Sequence, residues 1–178
     1  MEKNRIDLCG KKILCMYEGN AEKAILNILL DNSLLIFDRK MLIKGKPVRR
    51  ERVNIIEKKY LSDDFRCQIV IIRVIDSKNE KFKLSKLYVN KVDSIINTIT
   101  SPEIEILTVI ADDNYDRYCS SNYSKPSLYC KAEYKNIKIK SEEFIEKRFS
   151  DPLVLVGAIK KHKKSIGKDN LTLFDLLI

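Results

Sequence analysis

Residues Cys67 to Ile75, CQIVIIRVI, form an almost unbroken β-branched and apolar run. A strand of that composition gains nothing by facing water on either side. It is expected at the centre of a sheet covered on both faces, the usual situation of parallel strands in α/β proteins. A second run, Lys12 to Tyr17 (KILCMY), reads the same way, and Glu18-Gly19-Asn20 punctuates its end. A helix follows at once. Ala21, Ala24, Ile25, Ile28 and Leu29 recur at three- and four-residue spacing, with Asn20 placed to cap the start. Strand alternating with helix over roughly the first hundred residues predicts an α/β fold, a mostly parallel sheet flanked by helices.

Other elements follow from the same periodicities. Leu34 to Phe37 reads as a short strand, and Val48 to Leu61 as a helix entered through Arg49, Arg50 and Arg52. Tyr88 to Ile99 reads as a helix on Val89, Val92, Ile95, Ile96 and Ile99, interrupted at Ser101-Pro102. Further helices are expected at Ser141 to Phe149, behind a capping box from Ser141, and at Pro152 to Lys161, with a short one closing the chain. No internal repeat or low-complexity tract divides the sequence. Residues 1–178 are therefore expected as one domain with a helical C-terminal portion.

Composition narrows the chemistry. Lys and Arg number 34 against 25 Asp and Glu, a formal charge of +9, which favours phosphate-rich partners and equally suits a solvated lysine surface. The five cysteines never form a C-x-x-C pair, so neither a zinc ribbon nor a disulfide framework is indicated, and a reducing cytoplasm fits best. The N-terminus has no apolar core of signal-peptide type and no apolar run is long enough to cross a bilayer, so no membrane association is expected. The single histidine, His162, lies in the cationic run Lys160 to Lys164 and is expected at an exposed helix end. One histidine excludes a zinc site of several imidazoles, so metal chemistry must rest mainly on carboxylates.

Glu18 and Asp76 each follow a predicted strand, and sites in open parallel sheets form outside the carboxyl ends of the strands. A hard cation such as Mg²⁺ (or Mn²⁺) needs only one or two protein carboxylates beside water and substrate phosphate. Glu80 or Glu105 would supply further acid groups. The acidic run Asp112-Asp113-Asn114-Tyr115-Asp116 lacks the glycine and terminal glutamate of a calcium loop. Tyrosines and basic residues interleave from Tyr115 to Lys135, with Arg117, Lys125 and Lys131 as candidate nucleic-acid contacts beside Arg49, Arg50 and Arg52.

Ile13 to Ile25 (ILCMYEGNAEKAI), an apolar strand, Glu-Gly and a second acid four residues after the first, resembles the opening motif of the TOPRIM superfamily. Val70 to Asp76 (VIIRVID) resembles the strand leading into that superfamily's Asp-x-Asp motif, and Thr100 to Leu107 (TSPEIEIL) is similar to the S-N-P-x-F-E-x-W segment of its RloB-like branch, found in phage-defence loci. The three motifs occur in the family's order over roughly Lys12 to Val109, suggesting a TOPRIM-like core at about 12–111 with a mainly helical extension, 112–178, packed on it. The resemblance also favours a helix over Glu103 to Ala111.

TOPRIM domains carry out Mg²⁺-dependent phosphoryl transfer, so the resemblance implies roles. Glu18 is a general acid/base or metal ligand, Asp76 holds the metal, and Glu105, with Glu22, completes or orients the site. The sequence departs from the pattern at Asp76-Ser77-Lys78, where Lys78 replaces the second metal carboxylate and Glu80 is a substitute two residues on, and at Leu107 in place of Trp. Two expectations result. One is a divalent-metal-dependent nuclease acting on DNA or RNA in phage defence. The alternative is a catalytically degenerate module that binds nucleic acid or a partner protein of a defence or toxin complex. The oligomeric state stays open, and each acid also has a plain structural reading: Glu18 at a helix start, Asp76 in a turn, Glu105 on a helix surface.

Overall fold

In the computed structural model, residues 6–77, 80–135, 137–167 and 170–178 are described. Strand β1 (Lys12–Tyr17) leads through Glu18 and Gly19 into α1 (Asn20–Asp31). Then come β2 (Val48–Arg49), α2 (Val53–Ile56) running straight into a π-helical turn at Glu57–Leu61, β3 (Ile69–Ile75) and β4 (Val92–Ile99). The remainder is helical: α3 (Ile106–Ala111), α4 (Tyr115–Cys119), α5 (Pro126–Glu133), α6 (Glu142–Arg148), α7 (Pro152–Ile166) and a 3₁₀ turn at Leu173–Leu176. The four strands pair in the order β2-β1-β3-β4, all parallel, so the expected α/β architecture with a helical C-terminal portion is present.

The two strands that the sequence marked as buried on both faces are the two central ones, and every residue of β3 is buried. Side chains alternate between two cores. Ile13, Cys15, Val70, Ile72 and Val74 face α1, α3 and α7, whereas Leu14, Met16, Ile69 and Ile71 face Ile43, Val48, Ile56, Leu61 and Leu84. Burying each such aliphatic side chain contributes about 1.5–3 kcal/mol, which is why an alternating polar strand would not serve here.

Several expectations are corrected. Val92–Ile99 is the edge strand β4, not a helix. Its apolar residues mimic helical spacing because the register with β3 shifts between Ile69 and Val70, which pair with Val92 and Ser94, so strict alternation is broken. Leu34–Phe37 forms no strand with the sheet; Leu35 makes an isolated antiparallel bridge with Leu177. Val48 and Arg49 belong to β2, so the helix expected from Val48 starts only at Val53. Residue 20 is the first helical residue of α1 and Gly19 is its cap. His162 is buried at 3% exposure, its Nε2 lying 2.9 Å from the Ser101 carbonyl, because α7 turns this face onto the loop after β4. Among the described residues no helix is long and apolar enough to cross a membrane.

Candidate functional site

The carboxyl edge of a parallel sheet collects whatever the chain carries just past each strand. Here β1 and β3 are paired in register from Lys12 opposite Ile69 to Met16 opposite Arg73, so Glu18 and Asp76 emerge side by side. A cavity of about 250 Å³ opens at this edge, lined by Glu18, Gly19, Asn20, Ala21, Glu22, Asp76, Glu105 and Lys140. Four acids from the β1–α1 turn, the end of β3 and the start of α3 share one small space.

Each acid is held differently. Glu22, 7% exposed, lies in the first turn of α1, and its Oε2 accepts the Gly19 N–H at 3.0 Å. A β-carbon at residue 19 would sit only 3.0 Å from that oxygen, so the Glu-Gly pair leaves room for the second acid to fold back. Asp76 accepts the Thr100 hydroxyl on Oδ1 at 2.8 Å, and Thr100 is fixed by its own backbone N–H to the Ile75 carbonyl at 3.0 Å. Glu105 is 2% exposed, and its Oε2 is buried with no hydrogen-bond partner among the described residues. Lys140 Nζ approaches its Oε1 to 2.9 Å as an ion pair. Glu18 pairs with Arg50, whose backbone N–H bonds the Tyr17 carbonyl at 2.7 Å and so brings the end of β2 beside it.

The electrostatics follow from crowding like charges. The Glu22 carboxyl is pushed above its usual range by burial and then by Asp76 and Glu105. Asp76 is raised by burial and by Glu18, Glu105 and Glu103, against the opposing Thr100 hydrogen bond. For Lys140, burial works against the charge, but Glu105, Glu103 and Asp76 outweigh it and the ammonium's pKa rises. The cavity attracts positive charge, and Lys140 is the chain's own answer to it.

Among the described residues no three His, Cys, Asp or Glu side chains are gathered closely enough to cage an ion. The buried Oε2 of Glu105, without a hydrogen-bond partner among the described residues, nonetheless fits a hard cation held by one or two carboxylates, with water and substrate supplying the rest. Glu80 does not line the cavity; it pairs with Arg50 and Arg73. Lys78 lies outside the described residues.

Of the candidate nucleic-acid contacts, Arg49, Arg50 and Arg52 are exposed at the end of β2, next to Glu18. Lys125 stands 3.8 Å from Glu103, whose other oxygen takes the Ser127 N–H, so the start of α5 reaches the loop carrying Glu105. Arg117 pairs with Glu133 at 3.1 Å, and Lys131 is exposed on α5. Tyr118 and Tyr123 pack edge-on against the buried Tyr129, so part of the aromatic and basic interleaving is core packing.

Sequence reasoning missed three participants. Arg73 had a signal, a lone cation inside an apolar strand. Thr100 had only its place in the third motif, and Lys140 had none, since it reaches Glu105 through the way α6 packs on α1. Compared with family models, with curated proteins and with solved structures, the chain matches none of them.

Proposed function

We propose that the chain is a TOPRIM-like, divalent-metal-dependent nuclease that hydrolyses phosphodiesters of DNA or RNA in the cytoplasm, with a role in phage defence suggested by the RloB-like motif alone. The supporting observation is the cavity in which Glu18, Glu22, Asp76 and Glu105 converge while Oε2 of Glu105 stays buried without a hydrogen bond among the described residues. Four acids in one small space are costly without a cation. Asp76 and Glu105 would hold Mg²⁺ or Mn²⁺. The bound ion would supply stabilisation of charge on the phosphoryl oxygens and acidify its water.

The residues around it have separable tasks. Glu18, half-exposed and tied to Arg50, faces substrate and accepts or returns a proton. Glu22, whose carboxyl holds its proton more tightly than usual, buttresses the turn through the Gly19 N–H. Arg49, Arg50 and Arg52 meet the strand's phosphates. The test is incubation of purified protein with single- and double-stranded DNA, tRNA and other RNA, in Mg²⁺, Mn²⁺ or EDTA. Cleavage with metal and none in EDTA is expected; no cleavage of any substrate sinks the reading.

One observation favours the alternative, a degenerate module that binds nucleic acid or a partner protein. Arg50 already neutralises Glu18, and Lys140 already neutralises Glu105. That reading expects salt-sensitive nucleic-acid binding or stable co-purification with a partner, without turnover.

A further inference from the structure

We propose that Arg50 and Arg73 form a binding site for a phosphate group of a nucleic-acid strand, and that Glu80 occupies this site in the free protein. Arg73 is the starting point. Its side chain is 1% exposed in a strand otherwise made of Ile and Val, where an aliphatic residue would serve the core better. It is held by the Asn97 Oδ1 at 3.1 Å, the Phe82 ring with its centroid at 4.6 Å, and the Glu80 carboxylate. Its Nε is buried without a hydrogen-bond partner among the described residues.

Arg50 comes from the end of β2 and meets the same carboxylate. Glu80 Oε1 takes Arg73 and Oε2 takes Arg50, so one two-oxygen anion spans two guanidinium forks and leaves the Nε of Arg73 unserved. A strand phosphodiester likewise offers two non-bridging oxygens and one negative charge, set tetrahedrally, and guanidinium forks bind phosphate as they bind carboxylate, so it can take the same two arginines in place of Glu80. Arg73 is anchored in β3, and Arg50, one residue past β2, is held by its backbone N–H to the Tyr17 carbonyl. Glu80 is not: its side chain is 28% exposed on a segment that is neither helix nor strand, and a rotation about its side-chain bonds vacates the site. Arg50 also touches Glu18, so a strand phosphate held there lies beside the acid cavity. On this assignment Glu80 is a competitor of the substrate and not a metal ligand.

The inference rests on the nuclease reading only for the choice of nucleic acid as ligand, and binding without metal separates the two. The probes are a fluorescein-labelled single-stranded oligonucleotide, followed by anisotropy in EDTA, and inorganic phosphate, followed by calorimetry. Glu80→Gln should bind about fivefold more tightly, the size expected when a partly exposed competing ion pair is weakened, and Arg50→Gln added to it should erase the gain. Gln at residue 80 keeps an acceptor oxygen for the buried Arg73, and circular dichroism with a melting curve checks that each variant is folded at the assay temperature. Glu51→Gln removes one negative charge nearby as the control. A gain on the oligonucleotide identifies the strand as the phosphate's source; a gain confined to inorganic phosphate keeps the two-arginine site but overturns the strand assignment. No gain on either probe, a gain that survives Arg50→Gln, or an equal gain in Glu51→Gln overturns the proposal outright. A protein that binds in this way yet cleaves nothing with Mg²⁺ or Mn²⁺ removes the nuclease reading and leaves the site.

Discussion

Lys140 Nζ lies 2.9 Å from Oε1 of Glu105, so an ammonium that is mostly exposed caps a carboxylate that is almost wholly buried. The pair is lopsided: removing the lysine strands a buried charge, whereas removing the glutamate merely frees a surface cation. Lys140→Met should therefore destabilise the metal-free protein. Because the Lys140 side chain is 59% exposed and screened, the loss is placed at about 1 kcal/mol, the low end for an orphaned buried acid. Adding Mn²⁺ should raise the melting temperature of Lys140→Met more than that of the wild type. Equal increments in differential scanning fluorimetry would show that the cation does not take the lysine's place.

Glu18→Gln and Asp76→Asn each remove an acid from the cavity while keeping its shape, and Asn can still accept from Thr100. Each should lower metal-dependent cleavage by about 100-fold or more, the usual effect of deleting a group that acts on developing charge. Melting temperatures should stay near or above the wild-type value. Full activity in either variant would move the chemistry elsewhere.

The fold was legible where burial dictates sequence. Cys67 to Ile75 and Lys12 to Tyr17 had to be central strands, since nothing else hides runs of that kind, and α1 announced itself by its spacing. β4 did not, because an edge strand is half-covered and the register shift spoiled its alternation. The same division holds at the site. Glu18 and Asp76 could be placed because each directly follows a strand, but Lys140 depends on α6 docking on α1, where Lys23 and Glu142 meet at 2.8 Å. His162 looked exposed because its sequence neighbours are lysines, whereas its helix face is decided by what α7 packs against.

The raised proton affinity of Glu22 predicts an unusual pH response. A carboxyl whose folded pKa exceeds its unfolded value binds protons more tightly when folded, so its ionisation costs stability above the folded pKa. That cost fades as pH falls toward the ordinary value of 4.5. Metal-free Glu22→Gln should be more stable than the wild type at neutral pH, and the difference should close as pH is lowered. Urea titrations at several pH values measure it, and a gap that widens in acid would contradict the assignment.

His162 works in the opposite direction. Burial lowers its pKa, with the Ser101 carbonyl opposing, so the folded protein holds the ring neutral and its contribution is complete above the unfolded value of 6.5. It is lost as pH falls through the depressed folded value. His162→Gln keeps a donor for the Ser101 carbonyl and removes the titration, so the loss of stability below 6.5 should be smaller than in the wild type. Unchanged acid sensitivity would show that other groups set it.

The bridge between Leu35 and Leu177 belongs to a short antiparallel contact in which Ile36 N–H bonds the Leu176 carbonyl and Ile178 N–H bonds the Leu34 carbonyl. The segment just past α1 is thus completed by residues 176–178. Removing residues 170–178 should leave Leu35 and Phe37 open to proteolysis, so the order of the segment that follows α1 is set by residues far away in sequence.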